Sequence, residues 1–215
     1  APGGMSGWAE FGLAFAMFLI AHLIPARPGF RPRLVGLMGE RAYLAVYALV
    51  SLILLAWLIG SAGRAPYVPL WTFEPWHAWV VALAMVPVCL LTALGLGVPN
   101  PFSFGGGDAA QFDPGRPRIV GVTRHPLLWA LALWSGAHLV ANGDLAHLLL
   151  FGGLLAMAMA GMAALDRRSR RRLAVRSVTG WRAADLFRVA VSILIYTALL
   201  LAHERVIGVS PLAML

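Results

Sequence analysis

A chain of 215 residues that is 60% hydrophobic and only 12% charged carries too few ionisable groups for a soluble surface, because soluble domains carry about 25% charged residues. The formal charge of +8 comes from seventeen basic residues, all arginine; they cluster between apolar runs, as cytoplasmic anchors do, so a bilayer and not a nucleic acid is the expected partner. The single cysteine, Cys89, excludes an intrachain disulfide, a Cys-rich zinc site and a c-type haem attachment.

Residues Ala1-Pro2-Gly3-Gly4 read as an appended remnant with Met5 as the natural start, and no signal peptide is apparent. A spanning helix needs roughly 20 mostly apolar residues. Six stretches meet or approach that length: 8–24, 43–60, 76–98, 122–141, 145–165 and 186–202. The third contains Pro87, which should kink it. The fourth and fifth are joined only by Asn142-Gly143-Asp144, a turn composition that makes them an antiparallel hairpin. The expected fold is all-α: a polytopic membrane protein, one domain over 5–215, built as a six-helix bundle.

The arginines test this division. Arg27, Arg31, Arg33 and Arg41 follow the first stretch; Arg116, Arg118 and Arg124 follow the third. Arg167, Arg168, Arg170, Arg171, Arg172, Arg176 and Arg182 follow the fifth, with Arg188 just beyond, leaving only Arg64 and Arg205 for the opposite side. The positive-inside rule then places both termini outside the cytoplasm. Trp8, Trp71, Trp76 and Trp79 gather near the proposed outer surface as an aromatic belt would. The segment 99–118 is too rich in Pro and Gly for regular structure and reads as an irregular cytoplasmic loop or lid. The run from Asp166 to Arg172 reads as a solvated positive anchor, with anionic lipid headgroups at Arg167–Arg172 as an additional contact.

Ionisable groups inside a bilayer are costly, which makes each a functional candidate. Of six histidines, His22 and His125 fall near cytoplasmic helix ends, and His77, His138, His147 and His203 toward outer ones. His22 and His138 sit between apolar neighbours, in Ala21-His22-Leu23 and Ala137-His138-Leu139. A neutral imidazole pointing into a bundle can ligate iron or another transition metal, or simply join a hydrogen-bond network. In Val122-Thr123-Arg124-His125-Pro126 the proline starts a helix and leaves Arg124 and His125 exposed at the membrane surface. That pair suits a phosphate, a carboxylate or an anionic cofactor; it also suits a plain helix start with a snorkelling arginine.

Over nearly its whole length the chain resembles the NnrU family. The matching segments are Ala21-His22-Leu23-Ile24-Pro25-Ala26-Arg27-Pro28, Gly63-Arg64-Ala65-Pro66-Tyr67, Pro99-Asn100-Pro101, Gly121-Val122-Thr123-Arg124-His125-Pro126, Ala137-His138-Leu139 and Asn142-Gly143-Asp144-Leu145-Ala146-His147. The resemblance implies a multi-pass protein of the bacterial inner membrane supporting nitrite and nitric oxide reduction, for which the arginine placement makes both termini periplasmic. Respiratory nitrogen-oxide reductases or an electron donor are the implied partners. The plant 15-cis-ζ-carotene isomerases, which use haem b, look like relatives. Their two haem-ligating histidines fall on His22 and His138 by motif, and Ser135 stands where they have a cysteine, which argues against the same ligand switch. The Arg-His-Pro step is also similar to one in isoprenylcysteine and phospholipid methyltransferases, over that short piece alone.

The resemblance therefore implies haem b held by His22 and His138; the placement and charge of Arg124 and His125 make them expected contacts for the haem propionates. Depth strains that pairing: His138 is thirteen residues beyond His125, roughly 20 Å along a helix, while His22 lies near the opposite membrane face. Either the haem is strongly tilted, or the ligands are His22 with His125, or His138 with an outer histidine. Three functions follow as expectations: a haem-binding factor for nitrogen-oxide metabolism, a haem-dependent isomerase of a lipophilic polyene, and a cofactor-free assembly or regulatory factor for membrane reductases.

Overall fold

The computed structural model describes residues 5–25, 29–169 and 179–213; residues 1–4 and the expected anchor residues Arg27, Arg170, Arg171, Arg172 and Arg176 lie outside the described residues. In chain order the helices are α1 (Met5–Leu23), α2 (Phe30–Met38), α3 (Glu40–Arg64), α4 (Pro75–Gly95), a 3-10 turn (Ala109–Gln111), α5 (Ile119–Val122), α6 (Pro126–Ala141), α7 (Leu145–Arg168) and α8 (Ala183–Ile207). Among the described residues there is no strand, only isolated bridges from Pro69 to Asp144 and from Pro99 to Gly107.

Five helices, α1, α3, α4, α7 and α8, are long and apolar enough to cross a bilayer, and α6 is a shorter apolar helix of 16 residues. The sixth expected span is therefore cut down to about 24 Å of helix at 1.5 Å per residue. Its expected start at residue 122 is overturned at Pro126, which has no N–H to donate and drives its predecessor out of the helical region. His125 accordingly takes φ −123° and ψ 59°, so the chain forms the single turn α5, breaks, and starts again as α6. Pro87 does not end α4, which runs on to Gly95. The first connection, expected as a loop, contains the helix α2.

The chain divides into two compact units: Ala1–Trp71 with Asp144–Leu150, and Thr72–Gly143 with Phe151–Leu215. In the first, α1 packs on α3 through buried Phe11, Ala14 and Phe18 on one helix and Leu58 and Ala62 on the other. Glu10 of α1 accepts hydrogen bonds from Trp57 Nε1 at 3.1 Å and from Arg64 Nε at 3.2 Å, so the charged groups of these apolar helices answer one another. A Cβ on Gly7 would lie 2.8 Å from the Arg64 carbonyl oxygen, which ties the close approach of α1 to the end of α3 to that glycine.

In the second unit α4 packs against α6 and α8. Leu94, Val98, Phe102, Ile119 and Val120 bury one apolar cluster, and Leu128, Ala132, Ala158 and Met162 bury another between α6 and α7. Arg188 of α8 donates to the carbonyls of Ala93 at 2.7 Å and Leu96 at 2.6 Å, satisfying acceptors that the end of α4 leaves without helical partners. The Arg118 guanidinium forms an ion pair with Asp185, with Nε 2.9 Å from Oδ2. Outward on α8, Leu186, Phe187 and Leu194 are exposed, as side chains that face lipid must be.

Candidate functional site

The Pro- and Gly-rich segment after α4 is an ordered fold-back that clamps the break before α6. Gly97 takes φ +71°; its N–H bonds to the Gly105 carbonyl at 2.9 Å, and the Gly107 N–H bonds to the Val98 carbonyl at 2.8 Å. The two arms meet backbone to backbone, since a Cβ on Gly107 would lie 2.6 Å from the Gly97 oxygen. At the tip of this fold-back, buried Asn100 uses both ends of its amide. Nδ2 donates to the Arg124 carbonyl at 2.9 Å, and Oδ1 accepts from the Phe102 N–H at 2.9 Å. Asn100→Ala is expected to lower stability by about 1–3 kcal/mol, because the buried Phe102 N–H and the partly buried Arg124 carbonyl lose their partner. Denaturant unfolding in detergent micelles, followed by circular dichroism, checks this.

Arg124 and His125 end up in different surroundings, contrary to the expectation that both are exposed. The Arg124 side chain is half-exposed, its guanidinium 5.5 Å above the Phe102 ring and its Nη1 3.3 Å from Asp166 Oδ1. The His125 side chain is only 6% exposed. The Thr123 hydroxyl accepts the His125 N–H at 3.2 Å, and this local turn, with Pro126 starting the helix behind it, folds the ring inward. Its Nε2 lies 3.2 Å from the same Asp166 Oδ1, and its Nδ1 has no hydrogen-bond partner among the described residues.

Asp166 and Asn100 are the two members of this cluster that sequence reasoning did not assign to it. Asp166 stood at the head of the arginine run and was read with it; the signal was that it is the one carboxylate there. Its presence changes the electrostatics. Because one carboxylate oxygen answers both Arg124 and His125, an incoming phosphate or carboxylate has to compete with Asp166 for the same donors.

The remaining histidines separate by what their Nδ1 atoms meet. His22 Nδ1 lies 2.8 Å from the Phe18 carbonyl, and His138 Nδ1 lies 2.8 Å from the Trp134 carbonyl, each one turn back on its own helix. A carbonyl cannot donate, so Nδ1 carries a proton, and in the neutral ring Nε2 then holds the lone pair. Neither Nε2 has a hydrogen-bond partner among the described residues. Both rings are half-buried among aromatics: His22 is tilted against Phe18 at 4.2 Å and edge-on to Tyr47 at 5.8 Å, and His138 lies beside Trp134 at 5.1 Å and Phe151 at 5.3 Å.

The other histidines have capping roles. His77 Nδ1 accepts the Glu74 N–H at 3.1 Å at the start of α4. His147 Nδ1 meets Asp144 Oδ2 at 2.6 Å at the start of α7, and half-buried His203 Nδ1 meets the Val209 carbonyl at 2.8 Å past the end of α8. Among the described residues no three or more His, Cys, Asp or Glu side chains gather as a metal-ion cage. Ser135, one turn before His138, is fully buried with no hydrogen-bond partner for Oγ among the described residues.

The model of the family described as NnrU protein matches residues 10–211. The chain belongs to the NnrU family. The match runs from the first turns of α1 past the end of α8, so the NnrU region contains His22, Asn100, Arg124, His125, His138 and Asp166 alike. NnrU membership suggests a denitrification-related membrane protein. No curated protein and no solved structure matches the chain.

Proposed function

We propose that this NnrU-family chain is a haem b-binding protein of the bacterial inner membrane that supports nitrite and nitric oxide reduction, in which His22 and His138 would hold the iron. The observation that carries this reading is the shared state of the two imidazoles together with their aromatic neighbours; His203 also sets Nδ1 against a carbonyl, but with no ring contact among the described residues. In haem and metal sites a ligating histidine donates its second ring N–H to a carbonyl or carboxylate, which fixes the tautomer and makes the ligating nitrogen more basic. His22 and His138 both have that arrangement, with a lone-pair Nε2 left over inside an apolar, aromatic setting. His77 has its Nδ1 occupied as an acceptor and serves α4 as a cap.

A porphyrin brings four nitrogen donors of its own and asks the protein for one or two more. Single histidines on separate helices therefore fit haem better than they fit a bare ion. Bound there, haem would supply one-electron redox chemistry, which suits electron transfer or redox sensing. The chain's own contribution is to hold each ring in one tautomer and to surround it with apolar side chains. Arg124 is the group expected to meet a haem carboxylate, in competition with Asp166.

The test is the absorption spectrum of the protein purified from cells supplied with haem precursor, oxidised and then reduced with dithionite. A Soret band that moves on reduction is expected. No Soret band, even after reconstitution with haem, would leave a cofactor-free assembly or regulatory factor as the reading.

A further inference from the structure

The helix α2 is the one well-formed helix of the first unit that buries nothing: none of its nine residues is buried. Gly39, at φ +81°, is the only residue between it and α3, and six residues separate it from the end of α1. Both flanking helices are candidate membrane spans, so α2 is held at the level where one span ends and the next begins. A soluble helix in that place would show water a polar face. Here Leu37 is 82% exposed, with Met38 and Phe30 also exposed.

At 100° per residue, Phe30, Leu34 and Leu37 fall on one side of the helix, with Arg33 at one edge of that stripe and Arg31 beyond its other edge. The Arg31 edge is turned to α3: its guanidinium donates to Glu40 at 3.1 Å and lies 5.8 Å from the Tyr43 ring. Arg33, and Arg41 at the start of α3, have no ion-pair partner among the described residues. An apolar stripe bordered by arginines, tethered at a membrane surface, has the form of a helix lying in the interface plane. Its apolar side chains enter the acyl boundary while its guanidiniums meet phosphate.

We propose that α2 is an in-plane membrane-surface helix that seats Phe30, Leu34 and Leu37 in the bilayer boundary and binds anionic lipid headgroups through Arg33 and Arg41. The attraction grows with the anionic lipid content of the leaflet, because each arginine near such a surface is worth about a fivefold change in partitioning. This surface is separate from the histidines and stands whether or not haem binds.

The test uses the whole chain in lipid nanodiscs, with a spin label at Leu37→Cys in a Cys89→Ala background and a reference label at Asp113→Cys, on an exposed turn of the other unit. In phosphatidylcholine mixed with phosphatidylglycerol, the label at position 37 is expected to be several-fold more accessible to oxygen, and several-fold less to a water-soluble nickel chelate, than the reference label. The double variant Arg33→Gln/Arg41→Gln should lose the difference between mixed discs and phosphatidylcholine alone. Equal nickel accessibility at both labels, in both lipids, would overturn the proposal. Should the Cys89→Ala background not fold, deuterium exchange of residues 30–38 in the unmodified chain decides: several-fold slower exchange in the anionic discs supports it, and the same fast exchange in both overturns it.

Discussion

Removing the Asp185 carboxylate, as Asp185→Ala, is expected to destabilise the protein by about 3–5 kcal/mol, the usual consequence of stranding one partner of a buried ion pair. Asp185 is 4% exposed and the Arg118 side chain 12%, so neither charge has water to fall back on. The carboxylate also accepts the Arg182 N–H at 2.9 Å, closing the first turn of α8. Arg118 holds its guanidinium there at the expense of an unfavourable backbone, φ 55° and ψ −130°, and its N–H bonds to the Thr179 carbonyl at 2.9 Å. The pair thus ties the end of the Pro- and Gly-rich segment to the start of α8. Unfolding in mixed detergent micelles, monitored by circular dichroism, gives the magnitude. The double variant Arg118→Met/Asp185→Leu should recover most of the loss, because apolar replacements leave no charge stranded. A single-variant loss below 1 kcal/mol would show that the pair is solvated.

Gly107→Ala is the second large effect, with an expected cost of about 1–3 kcal/mol from overpacking. The added carbon would lie 2.6 Å from the Gly97 oxygen and 3.4 Å from the Pro99 nitrogen. These are backbone atoms of the opposite arm and cannot swing aside as a side-chain end could. The arms must part, and Asn100 at their tip then loses its hold on the Arg124 carbonyl. The same unfolding assay measures the cost, and proteolysis within 99–118 should quicken several-fold. An unchanged cleavage rate would mean that the fold-back is not what orders the segment. Gly36→Ala, on α2 with open space around it, serves as the control, since there the helix gains a better former.

Much of this arrangement was legible because apolar length and arginine placement are properties of single segments. Runs such as 145–165 and 76–98 agree with α7 and α4 to within a few residues. The misses share a physical cause. Helix α2 contains Pro32, Gly36 and two arginines in nine residues, so no local propensity marks it; what favours a helix there is contact with α3 and with the membrane surface. The helix start at Pro126 was legible in the proline itself; the single turn α5 ahead of it was not, because the four residues Ile119–Val122 carry no helical period of their own. The chemistry at His125 was legible as a position and not as an environment. Its burial comes from Thr123 beside it, but its hydrogen-bond partner is Asp166, forty-one residues away. The histidine tautomers were within reach: once His22 and His138 are helical, a carbonyl one turn back is each ring's nearest acceptor.

The depth strain between His22 and His138 makes their joint ligation the claim most open to refutation. The direct measurement is the oxidised and reduced absorption spectrum of His22→Ala and of His138→Ala, each purified beside the unmodified protein at equal folded content. Each variant is predicted to lose its haem or to show a displaced Soret band. Two spectra indistinguishable from that of the unmodified protein would contradict the assignment and move the haem to other ligands.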